Sequence, residues 1–111
     1  MENWNVTKSA NLYRITDWGA GYFDVNAKGH VTVTPSRSGE AIDLYELVRS
    51  LQQRGIEAPI LFRFDGIVRD RAALINAAFT RAMEQWGYTG SYRVAYPVKV
   101  NPQRHVVDTI R

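Results

Sequence analysis

The sequence predicts an α/β chain in which a β-hairpin segment precedes the opening of a parallel strand–helix unit. Three observations predict it. Phe23 and Val25, then Val31 and Val33, alternate with other residues on either side of Asn26-Ala27-Lys28-Gly29, the pattern of two strands around a turn. Val68, Ala72, Ile75, Phe79, Ala82, Met83 and Trp86 recur at spacings of three and four, as the apolar stripe of one long helix does. Short apolar runs flank that helix, Ile60-Leu61-Phe62 with Phe64 before it and Tyr92 to Asn101 after it, and both read as strands.

Taken in order, the residues up to Trp18 carry Trp4, Trp18 and the apolar group Leu12, Tyr13 and Ile15, with Ser9 or Asn11 as a candidate cap of a short turn. Aromatic side chains there imply docking, since a loose tail has no use for them. Gly19-Ala20-Gly21 is a turn into a strand; it lacks the preceding strand and third glycine of a phosphate loop. The hairpin spans Tyr22 to Thr34, with Gly29 suited to positive φ and His30 an exposed strand-end residue. A lone hairpin is marginal in water, so this one is expected to join a larger sheet.

A polar connector, Pro35 to Gly39, leads to a helix over Asp43 to Arg54. Asp43 and Glu46 have capping-box spacing, Ile42 and Leu47 form a hydrophobic staple, and Leu44, Leu47, Val48 and Leu51 face inward. Tyr45 and Arg49 fall off that stripe, and Gly55 closes the helix. The long helix runs from about Ile67 to Trp86, with Met83 and Trp86 as core residues and Gly87 as its stop. After the second strand, Asn101 as N-cap and Pro102 at the first helical position start a last helix, with Val106, Val107 and Ile110 on its inner face.

The 111 residues suffice for one small domain. Hydrophobic residues at 45% and charged ones at 23% make an ordinary globular composition. No apolar run is long enough to span a membrane. The absence of cysteine excludes disulfides and thiolate metal sites and fits a reducing compartment. The net charge of +3 is spread among acids and forms no basic stripe, so nucleic acid is not an expected partner.

Chemistry points to Lys99. It lies at the C-terminal end of the second expected strand, just before a helix start, where α/β folds place their active sites. Its neighbours on the same strand face, Ala95 and Pro97, are small and leave room before the amine. A lysine desolvated in this way is a nucleophile able to form a Schiff base with a carbonyl. Pro97 counts against a regular interior strand, because it has no N–H to give the ladder.

At these residues the chain resembles a known family. Tyr96-Pro97-Val98-Lys99-Val100-Asn101 is similar to the cofactor-lysine motif of pyridoxal-phosphate decarboxylases of the alanine-racemase-like barrel class. The longer run on to Pro102-Gln103-Arg104-His105-Val106-Val107 resembles the biosynthetic arginine decarboxylases. Tyr13 to Asn26, Gly29-His30-Val31, Ile75 to Phe79 and Tyr88 fit the same family in the same order.

The resemblance implies a pyridoxal 5'-phosphate enzyme that decarboxylates L-arginine to agmatine and CO2 for polyamine synthesis. It implies that Lys99 is the Schiff-base and catalytic residue. Tyr96, Asn101 and His105 are cofactor-binding candidates by position; Asn101 reads equally as a helix cap and His105 as an exposed first-turn residue. It further implies Mg2+, a cytoplasmic homo-oligomer, and no membrane partner. The fold expected from it is the first strand and flanking helices of a (β/α)8 TIM-type barrel, incomplete in this chain. Residues 1–38 then form a hairpin segment that joins a β-domain, and residues 39–111 form the start of the cofactor-binding barrel. A full barrel takes about 250 residues, so the chain is expected to be the N-terminal portion of a longer enzyme or a truncated frame, poorly folded and inactive alone. Two alternatives stay open: a non-catalytic pyridoxal-phosphate carrier on the same barrel, and a small interaction module in which Lys99 is structural.

Overall fold

The computed structural model describes residues 3–111. They form two compact units, Met1–Phe62 and Arg63–Arg111.

In the first unit, α1 (Val6–Leu12) and α2 (Ile15–Trp18) lead into a three-stranded antiparallel sheet of β1 (Phe23–Val25), β2 (Val31–Val33) and β3 (Ile42–Asp43), in that spatial order. The cap of α1 is Asn5, whose Oδ1 accepts from Lys8 N at 2.9 Å; Ser9 instead accepts from Trp4 Nε1 at 2.8 Å. Asn11 lies inside the helix. Arg14, with φ of 51°, breaks the path between the two helices and pairs with Asp17 at 2.7 Å. Trp18 Nε1 donates to Tyr13 O at 2.9 Å and its ring lies 5.2 Å from Phe23, but Trp4, Leu12, Tyr13 and Trp18 all stay exposed, so the docking surface expected for them is not among the described residues.

The hairpin forms where the alternation predicts. Its register pairs Phe23 with Val33 and Val25 with Val31. Directly opposed residues share a face, so these four side chains form a single apolar surface. Val33 is fully buried, and Ile15 and Tyr22 are nearly so. Asn26 Oδ1 accepts from Lys28 N and His30 N, both at 3.0 Å, and Gly29 takes φ of 82°. The hairpin does not stand alone. β3 pairs with β2, Val33 opposite Ile42, and α3 (Leu44–Gln53) packs on β2 and β3. The first unit thus runs past residue 38 and takes in the capped helix.

That helix matches its sequence signals at both ends. Asp43 is the N-cap, with Oδ1 accepting from Glu46 N at 3.1 Å. At the other end Gly55 N donates to Gln52 O at 2.9 Å and Ile56 N to Leu51 O at 3.0 Å. These two bonds, with Gly55 at φ of 80°, make a Schellman closure.

In the second unit, α4 (Asp65–Gln85) packs against α5 (Arg104–Ile110). α4 closes in the same way as α3: Gly87 N bonds Glu84 O, Tyr88 N bonds Met83 O, and Gly87 has φ of 62°. The predicted stripe of α4 is present but mostly uncovered. Val68, Ala72 and Met83 are half-buried, whereas Ile75, Phe79 and Ala82 are exposed and Trp86 is 81% exposed. Trp86 is therefore not a core residue here. Spacing makes a stripe, but burial needs an opposing surface, and α5 is too short to cover 21 residues.

Two further expectations are corrected. No strand forms over 59–64 or 92–101 among the described residues. A strand needs a ladder partner for its N–H and C=O groups, and neither run finds one; Pro97 has no N–H to offer. The last helix begins at Arg104 with Gln103 as its cap, without a side-chain cap bond. Asn101 and Pro102 lie ahead of it in the connecting turn. The described residues thus combine helices with a small antiparallel sheet and show no parallel pairing.

Candidate functional site

The segment before α5 is folded locally. Val98 N donates to Tyr96 O and Val100 N to Pro97 O, each at 2.9 Å. The first is a three-residue turn centred on Pro97, whose ring fixes φ near the value such a turn needs. The second is a β-turn with Lys99 at one of its two central positions. Lys99 is exposed there and makes no hydrogen bond or ion pair among the described residues. The covered strand that would have desolvated it is absent: Val94, Val98 and Val100 are themselves exposed.

The four sequence-predicted residues fall into three environments. Tyr96 and Asn101 meet: both are half-buried, and the Tyr96 hydroxyl donates to Asn101 O at 3.5 Å across the turn that carries Lys99. Lys99 projects from that turn alone. His105 sits in the first turn of α5, half-buried, and is engaged by Arg63, with Nη1 at 2.6 Å from its Nε2. Arg63 Nη1 also contacts Oε1 of Gln103. No sequence signal marks Arg63; it comes from 42 positions before His105.

A second constellation, in the first unit, also escaped the sequence pattern. His30 is not an exposed strand-end residue. Its Nδ1 lies 2.8 Å from Asp43 Oδ2, with both side chains about one-fifth exposed, and its ring lies 4.5 Å from that of Tyr45. Asn26 Nδ2 donates to the same oxygen at 2.8 Å. Burial pushes the Asp43 carboxyl up, but the hydrogen bonds from His30, Glu46 N and Asn26 outweigh it and leave it at about 2, below its ordinary 3.8. Ligand-type atoms of His30, Asp43 and Glu46 lie within 4.8 Å of one another. That set does not fit Mg2+, which takes near-octahedral oxygen and water ligands; here one donor is an imidazole and the Asp43 oxygens already accept three hydrogen bonds. The cluster ties the hairpin turn to the start of α3.

With this geometry in view, the chain can be set beside known proteins. No protein-family model matches it. It is homologous to biosynthetic arginine decarboxylases: it is 49% identical over 97% of its length to the one of Thermosynechococcus vestitus, 50% over 96% to one from Synechocystis sp., and 48% over 99% to that of Gloeobacter violaceus. The chain spans only 16–17% of the length of these curated relatives. No helix among the described residues is long and apolar enough to cross a membrane.

Proposed function

We propose that this chain is the cofactor-lysine segment of an enzyme that converts L-arginine to agmatine and CO2. The observation that carries it is the match, at 48–50% identity over nearly all of the chain, to proteins named for that reaction. In the longer protein, the hairpin segment would join a β-domain, later residues would open a (β/α)8 barrel, and the assembly would be a cytoplasmic homo-oligomer.

Pyridoxal phosphate is the cofactor of this reading, and when bound it supplies an electron sink for cleavage at the amino acid's α-carbon. The residues present are compatible with it. Lys99 offers an amine that is exposed and engaged by no other group among the described residues, as a covalent anchor must be. Lys99 would hold the cofactor through Nζ and, with its amine free, would serve as a proton carrier at the substrate. Tyr96 and Asn101 brace the turn that aims it. His105 would lend an imidazole, held by Arg63, from the first turn of α5. Further barrel strands pairing with 92–97 would supply the ladder and cover the lysine.

The test uses the longer protein. Borohydride reduction is expected to fix the cofactor on the peptide containing Lys99, and Lys99→Ala to remove both the visible chromophore and CO2 release from arginine. Retention of chromophore and turnover in Lys99→Ala sinks the assignment. Parallel assays with lysine, ornithine and diaminopimelate check the substrate; release from arginine is expected to exceed the others.

A further inference from the structure

Arg63 is held in an unusual way for a surface arginine. A guanidinium carries five N–H donors in a rigid fork. Only Nη1 is engaged, by Oε1 of Gln103 and by the ring of His105, one of whose two nitrogens can accept; Nε2, at 2.6 Å, is the nearer. Nε and Nη2 make no hydrogen bond, and no carboxylate pairs with Arg63 among the described residues. Those two nitrogens form the side-on edge that takes both oxygens of a carboxylate or phosphate.

Arg63 lines an open cleft of about 300 Å³ together with Phe64, Ile67, Val68 and Val106. Asp65, the acid on this cleft, sits in the first turn of α4, where the helix dipole favours it. A solvated arginine would sample many rotamers. This one is pinned by two residues of a remote segment, so much of the ordering cost of binding is already met before a ligand arrives.

We infer that Arg63, oriented by Gln103 and His105, is a binding site for an oxyanion, a carboxylate or a phosphate monoester. The site does not depend on Lys99 holding a cofactor. The experiment is a titration of the longer protein with inorganic phosphate and with acetate, at ionic strength matched with chloride, followed by NMR at Arg63 Nε, the Gln103 amide and the His105 ring. Saturating shifts at these three groups with phosphate or acetate, absent with chloride, are expected. Tighter phosphate binding identifies the phosphate source, tighter acetate binding the carboxylate. Arg63→Lys keeps the charge but loses the fork, and is expected to weaken binding about tenfold or more; Arg63→Gln is expected to abolish it. A response equal to that of chloride, or one that survives unchanged in Arg63→Lys, overturns the proposal.

Discussion

Asp43 and His30 join two elements that the chain makes separately: the imidazole of the hairpin turn meets, at 2.8 Å, the carboxylate that caps α3. One side chain thus ends a helix and fastens a turn, through three hydrogen bonds from Asn26, His30 and Glu46 N. Deprotonated Asp43 is what all three require.

This sets a pH dependence. The folded carboxyl titrates at about 2 against an ordinary 3.8, so the folded state binds protons less readily between those values. The stabilisation is complete above about pH 5 and is lost as pH falls through the folded pKa. Urea midpoints, followed by the Val33 amide, are expected to fall with acid in the wild type. In Asp43→Asn they are expected to be lower near neutrality and flatter across the acid range. An equally steep acid loss in Asp43→Asn would show that other carboxylates carry it.

Val33 is fully buried opposite Phe23. Val33→Ala removes two methyl groups and leaves a small cavity, so a loss of about 2 kcal/mol is expected in urea unfolding of the first unit. The half-buried Val25 is expected to cost less on the same change.

Gly55 and Gly87 close their helices at φ of 80° and 62°. A Cβ meets no atom within 4 Å at either glycine, so the penalty of alanine is conformational alone. Gly55→Ala and Gly87→Ala are each expected to cost about 1 kcal/mol. Gly55→Asn, which tolerates the left-handed region better, is expected to recover part of it.

Trp86 discriminates between spacing and structure. As a core residue its replacement would cost about 3 kcal/mol or more. At 81% exposure, Trp86→Gln is expected to change the stability of this chain by less than about 0.5 kcal/mol. In the longer protein, a much larger loss would show that later residues cover the α4 stripe.

Local signals were readable wherever residues close in sequence make the structure. The caps at Asp43, Gly55 and Gly87 and the turn at Asn26–Gly29 are each completed within a few positions, so residue identity alone specifies them. The Lys99 motif reads as a family pattern, and the roles of Lys99, Tyr96, Asn101 and His105 are all proposals. Arg63 was invisible, because nothing in an arginine's local sequence says which remote side chains it will meet. His30 was misread for the same reason: its partner lies 13 residues on, across two strands.

Periodicity told which faces are apolar and where hydrogen-bonded turns begin and end. It did not tell whether a partner would arrive. Phe23 and Val33 became one surface through cross-strand pairing, and the runs at 59–64 and 92–101 stayed unpaired although their alternation is that of strands. A strand's hydrogen bonds and a helix stripe's burial are both completed by groups distant in the chain, so they are properties of the assembled molecule and not of the segment.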